Sequence, residues 1–171
     1  MTKYLLAGTA MALLLPAAAF AQDGTVNING SVAAKCVIAS SATITLNELA
    51  DADGLYNLAA DGKSATLNAW CNGAASTISV VATAITLQGG PAVQPGFTDA
   101  IQYTATASVA PAAGGSVSVT DSTVAAAAPA ATVGLFSNNI TVALSASGTN
   151  GGKLIAGSYT GNVVVTLAPA A

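Results

Sequence analysis

The residues of this 171-residue chain that could do chemistry are few, and two of them stand out: Cys36 and Cys71, the only cysteines. The chain has no histidine, one glutamate at position 48 and no recognisable serine elbow. The usual acid–base and nucleophile constellations would then have to come from scattered Asp, Lys, Ser or Tyr, so the chain is not read as an enzyme. Two thiolates without histidine do not complete a tetrahedral metal shell, so no metal or other cofactor is expected. Asp51, Asp53 and Asp61 with Gly54 faintly resemble a calcium loop. The glycine falls too early and no glutamate closes the loop, so these acids read as solvated turn residues. Asn29-Gly-Ser31 and Asn139-Ile-Thr141 fit the glycosylation sequon, which is frequent by chance. Trp70 has two readings: a carbohydrate-stacking platform, or an aromatic packed beside the Cys71 sulfur, which is the commoner case.

What the cysteines do depends on compartment. Lys3 supplies a positive start, Tyr4 to Ala19 is apolar or small with Pro16 near its end, and Ala19-Phe20-Ala21 is a small-x-small cleavage pattern. Residues 1–21 are therefore expected to be a signal peptide and Gln22 the mature N-terminus. A membrane anchor is the alternative, but the apolar stretch is short, interrupted by Pro16 and followed by Gln22-Asp23 rather than a basic patch. In an oxidising compartment an even count of two most simply gives one intrachain bridge between Cys36 and Cys71. Closing about 36 residues would stabilise the fold by roughly 4 kcal/mol on the chain-entropy estimate. Two reduced, buried cysteines are the alternative.

Composition narrows the partners. Only 6% of residues are charged and 53% are apolar, yet no later run is long enough to span a membrane. Removing Lys3 with the leader takes the net charge from −3 to −4. A nucleic-acid ligand is not expected, because phosphate neutralisation needs clustered cations. Few charges also leave little repulsion between copies and few devices for keeping sheet edges apart, so the surface tolerates assembly.

The elements that must position these residues follow a period of two. Val26 and Ile28 alternate with Asn27 and Asn29, Leu67, Ala69 and Cys71 with Thr66, Asn68 and Trp70, and Ile78 and Val80 with Thr77 and Ser79. Further strand runs are expected at 42–46, 84–87, 101–107, 116–120, 132–136, 140–146 and 158–167. Turn clusters at 51–54, 61–62, 72–73, 88–91, 113–115 and 148–152 separate them. In the last run Tyr159, Gly161, Val163, Val165 and Leu167 share one face, which is expected to be the buried one. Pro129 and the lack of a polar face make the Ala-rich stretch 124–131 a loop or edge segment. Many short strands without a helical stripe imply a single all-β antiparallel sandwich over residues 31–171.

Three motifs in order, Gly24-Thr-Val-Asn-Ile-Asn-Gly-Ser-Val-Ala-Ala-Lys-Cys36, then Ala65-Thr-Leu-Asn-Ala-Trp-Cys71, then Ala156-Gly-Ser-Tyr-Thr-Gly-Asn-Val-Val-Val-Thr-Leu167, resemble the pilin subunits of chaperone–usher fimbriae, including the spore-coat-U-like group. The resemblance covers both ends of the mature chain and the cysteines, and little of the middle. It implies an immunoglobulin-like sandwich lacking its final strand, completed by the N-terminal extension of the next subunit. Residues 22–30 would be that donor strand, with Val26 and Ile28 as its apolar face. Tyr159, Val163, Val165 and Leu167 would belong to the closing strand that accepts it. The implied partners are neighbouring copies or related pilin subunits, a periplasmic chaperone and an outer-membrane usher. The implied location is an extracellular fimbria, reached through the periplasm. The chain ends Leu167-Ala-Pro-Ala-Ala171, where such subunits often carry an aromatic residue.

Read from the residues alone, Val26 and Ile28 also fit the first strand of a closed sandwich. The alternative function is accordingly a self-contained secreted binding module for a carbohydrate or a surface protein, acting through Trp70 or the Ala/Gly-rich region 109–131.

Overall fold

The computed structural model describes residues 24–39, 41–57, 63–146 and 150–169. The expected signal peptide, Gln22, Asp23 and Asp61 lie outside these residues. The chain divides into two units, residues 1–32 and residues 33–171. In the first, the described residues 24–32 form no strand. Val26 and Ile28 are 84% and 92% exposed there.

The second unit is an all-β sandwich, and among its described residues there is no helix. Eleven strands follow in order: β1 Cys36–Ile38, β2 Ser64–Cys71, β3 Thr77–Leu87, β4 Phe97–Thr98, β5 Ala100–Ile101, β6 Tyr103–Val109, β7 Val117–Ser122, β8 Ala131–Thr132, β9 Phe136–Ala146, β10 Lys153–Leu154 and β11 Tyr159–Ala168. One sheet runs β1-β2-β9-β6-β7 and the other β11-β3-β5, with β8 also paired to β3. All of these pairs are antiparallel; only the small β10–β4 pair is parallel.

Alternation decides what each strand buries. Tyr103, Ala105, Ala107 and Val109 of β6 point inward and are fully buried, while Thr104, Thr106 and Ser108 point out. Opposite them lie Ile78 and Val80 of β3 and Ile101 of β5, with Ile140 and Val142 of β9 beside them on the first sheet. The small alanines of β6 leave room for the branched residues facing them, so the layers interdigitate.

Several expected runs take a different form. Residues 42–46 are not a strand; they pass as irregular chain with Ile44 and Leu46 half-buried. The runs at 77–80 and 84–87 merge into the single strand β3, and 101–107 splits at Gln102. Residues 132–136 contribute only the end of β8 and the start of β9. Short alternation fixes facing but not pairing, and pairing is what makes a strand. The Ala-rich stretch is loop up to β8, as expected.

Two polar devices connect the sheets. The buried Asp121 of β7 crosses to β3, where Oδ2 accepts from the Ala82 amide at 2.7 Å in the gap between the β8- and β5-paired segments. The Tyr103 hydroxyl reaches the Thr83 and Asn162 carbonyls, each at 2.9 Å, and so bridges β3 and β11. It does so beside the register shift between Thr160 and Asn162. Gly161 occupies that bulge because a Cβ there would come within 2.8 Å of Ile85 Cγ1 and 3.0 Å of Ile85 Cα.

Candidate functional site

β11 is paired on one edge only. Its ladder with β3 runs from Tyr159↔Leu87 to Ala168↔Thr77, and among the described residues no strand bonds its other edge. Beside that free edge lies a groove of about 660 Å³. One wall is Tyr159, Val163 and Val165 of β11; the other is Ile38, Ile44, Leu46 and Leu49. The floor is Leu67, Ile85, Tyr103, Val142 and Leu144. Nearly every side chain reaching into the groove is aliphatic or aromatic, and among the described residues no charged one lines it.

The position of the groove corrects the expected burial of the closing strand. Tyr159, Val163, Val165 and Leu167 do face inward, but they are half-buried rather than buried, and Gly161 in the bulge is exposed. Their layer lacks a neighbour on one side. The segment Tyr159–Val165, bonded to β3 on one edge, offers about 20 Å of strand whose other edge is unpaired among the described residues, at roughly 3.3 Å per residue. Such an edge, with apolar pockets beside it, is chemically suited to accept an extended peptide.

Burial pushes the Tyr103 phenol up to about 12; the Thr83 carbonyl bond opposes the shift and the nearby Asp121 charge adds to it. Burial likewise raises Tyr159, whose hydroxyl donates to the Ile155 carbonyl at 2.7 Å. Both phenols are therefore neutral hydrogen-bond donors at ordinary pH.

Cys36 and Cys71 are bonded and directly opposed in the β1–β2 ladder, with Cα atoms 4.2 Å apart. The bridge ties the three-residue β1, and with it the wall that begins at Ile38, to the long strand β2. Asn72 extends the same attachment: Oδ1 accepts from the Lys35 amide, Nδ2 donates to the Ala33 carbonyl at 3.1 Å, and its own amide donates to the Lys35 carbonyl at 3.0 Å.

Trp70 does not pack against the disulfide in the core. It follows Asn68 on the outward face of β2, while Cys71 is turned inward and buried. Asp51 closes a turn by accepting the amides of Asp53 and Leu55 at 2.9 Å each, as solvated turn acids do. Among the described residues no three His, Cys, Asp or Glu gather where they could hold a metal ion.

The sequence reading named the β11 wall and missed the other. Ile44 and Leu46 fall in the run expected as a strand at 42–46, and Leu49 lies in none of the expected runs. Comparison with family models, with curated proteins and with solved structures returned no match.

Proposed function

We propose that the chain is a structural subunit of an extracellular fimbria, assembled when the N-terminal extension of a neighbouring copy or related subunit enters the groove along β11. The observation that carries this reading is an open apolar groove beside a strand edge left free among the described residues, in a chain whose N-terminal segment alternates apolar and polar residues. Val26 and Ile28 stand two residues apart on one face of an extended segment, ahead of the sandwich in the chain. Leaving such side chains and such a groove in water forgoes about 1.5–3 kcal/mol for each branched residue that a partner would bury. In this reading residues 22–30 are the donor, with Val26 and Ile28 seated two residues apart in the groove, and Tyr159, Val163, Val165 and Leu167 form the acceptor wall. A periplasmic chaperone and an outer-membrane usher are the transient partners, because a subunit with an open groove needs cover before assembly. Export under the 1–21 signal and oxidation of the cysteines belong to the same proposal.

Deleting Gln22 to Gly30 tests it. The shortened protein should remain folded, fail to polymerise by itself, and gain thermal stability from an added peptide carrying Thr25-Val-Asn-Ile-Asn29. Ile28→Asp in that peptide should abolish the gain, because a charge would be left in an apolar pocket. If the full chain stays monomeric through boiling in detergent and no peptide stabilises the shortened form, the reading fails and a self-contained binding module takes its place.

A further inference from the structure

The five-stranded sheet has a second face, turned away from the core, and its composition is unusual. The outward residues of β2 are Ser64, Thr66, Asn68 and Trp70, and those of β9, β6 and β7 are serines, threonines, Asn139 and Ala143. No charged side chain stands among them, although the chain carries seven acids and four lysines. At the β1–β2–β9 corner this face dips into a shallow depression of about 380 Å³, lined by Val37, Asn68, Trp70, Ser137 and Asn139 among others.

We propose that this depression binds a neutral pyranose glycan. Trp70 is the chain's single tryptophan, and it is 37% exposed although its β2 neighbours Ala69 and Cys71 are buried. Indole exposed to this extent offers apolar ring surface on which the C–H face of a sugar can stack. The register sets Asn68 directly opposite Asn139, one pleat step from the Trp70↔Ser137 pair. Two outward residues on one strand are about 7 Å apart, so the amides lie about one ring-width from the indole. Neither amide has a hydrogen-bond partner among the described residues, which leaves two donor pairs and two acceptors facing solvent.

Charge selects the ligand class. Among the described residues lining the depression there is no lysine, arginine or carboxylate, so a phosphate, sulfate or sialic acid finds no cation within it and a cation no anion; Lys35, opposite Asn72, stands one pleat step beyond Trp70 and outside the lining. Neutral hydroxyls bonded to amides and hydroxyls, over one aromatic ring, are what the lining can satisfy. The platform is also rigid: Trp70 pairs with Val37 in the short ladder that the Cys36–Cys71 bond pins one residue away. Preorganisation of this kind reduces the ordering cost of a weak ligand. Ile38 and Ala39 border both the groove and the depression, but Trp70, Asn68 and Asn139 point to the side of the sheet away from the groove, so glycan binding does not depend on the fimbrial reading.

The test uses the full chain and a panel of neutral hexasaccharides of glucose, N-acetylglucosamine, mannose and galactose. Indole fluorescence reports on Trp70 alone, and at least one sugar should change it saturably below about 10 mM. Retention on the matching immobilised polysaccharide should fall about tenfold or more in Trp70→Ala and severalfold in Asn68→Ala/Asn139→Ala, with Trp70→Phe largely retained. Unchanged circular dichroism would show that these variants are folded. The proposal is overturned if no sugar of the panel binds, if Trp70→Ala is retained like the parent, or if sialylated or sulfated glycans bind better than neutral ones. It is equally overturned if sedimentation reveals a dimer that Trp70→Ala dissolves, because the face would then belong to a second copy.

Discussion

The two long sides of the sandwich are built from the same kind of sequence and end in different states. On the side where β6 and β7 face the middle of β3, inward residues are sealed: Ile78, Ala105 and Ala107 are fully buried, and Ile140 of the adjoining β9 is sealed with them. On the side of β11, inward residues of equal hydrophobicity are half-buried and border a groove. The difference comes from neighbours, since among the described residues β6 has a bonded strand on both edges and β11 on one. An apolar alternation therefore states which way a side chain points, and only the sheet order states whether anything covers it.

The largest expected effect is on the anchor of the open side. Replacing both Cys36 and Cys71 with serine should lower stability by about 2–5 kcal/mol in denaturant titration. The loss should come with a weakened response to the capping peptide, because β1 and the wall beginning at Ile38 are held to β2 by that bond. Loss of stability with unaltered peptide affinity would show that the wall is positioned by packing instead.

Next in size is a paired truncation across the two sides. Ile140→Ala in the sealed half should cost about 2–5 kcal/mol, the range for deleting buried branched side chains. Val165→Ala in the open half should cost clearly less in the peptide-free domain, since its methyl groups already meet solvent in part. With the donor peptide bound, the cost at Val165 should rise toward that at Ile140, read as weakened peptide affinity. Equal costs in the free domain would mean that the groove closes on itself in solution.

This contrast also explains what could be read from the chain. The disulfide followed from an even count of two cysteines in a chain expected to be exported, and the facing of β2, β3 and β11 followed from their alternation. The wall at residues 38–49 did not, because Ile44 and Leu46 show a strand-like step while their backbone pairs with nothing there. Tyr103 and Asp121 escaped notice for another reason. Each acts on a strand distant in sequence, Tyr103 on Thr83 and Asn162 and Asp121 on Ala82, and no local pattern announces such a partner. Of the two readings of Trp70, an exposed stacking platform and an aromatic packed beside the disulfide, the second overlooks that the pleat sends adjacent side chains to opposite faces.

Tyr103 offers a smaller effect that sits at the floor of the groove. Its phenol is held near 12, above the ordinary value of 10, so the unfolded chain loses the proton first as pH rises. The stabilisation is present in full below pH 10 and is lost between pH 10 and 12, by roughly 2–3 kcal/mol from this group. Tyr103→Phe should flatten that part of the stability profile relative to the parent. At neutral pH it should cost about 1 kcal/mol for the lost bonds to the Thr83 and Asn162 carbonyls. A parent profile that stays flat to pH 12 would show that the hydroxyl is solvated in solution.

The smallest effect is expected on the outward face of β11 itself. Thr166 points to solvent between the half-buried Val165 and Leu167, and its ladder partner Ser79 is uncharged. Thr166→Asp should change stability by no more than about 0.5–1 kcal/mol, chiefly through the lower strand preference of aspartate. Val165→Asp, one residue earlier, should prevent accumulation of folded protein, because even a partly covered apolar wall cannot solvate a carboxylate well. The two substitutions add the same charge within one pleat of each other, so charge alone cannot separate them. Comparable yields and melting temperatures for both would mean that residues 163–167 do not form an inward wall, and the groove beside β11 would lose its apolar side.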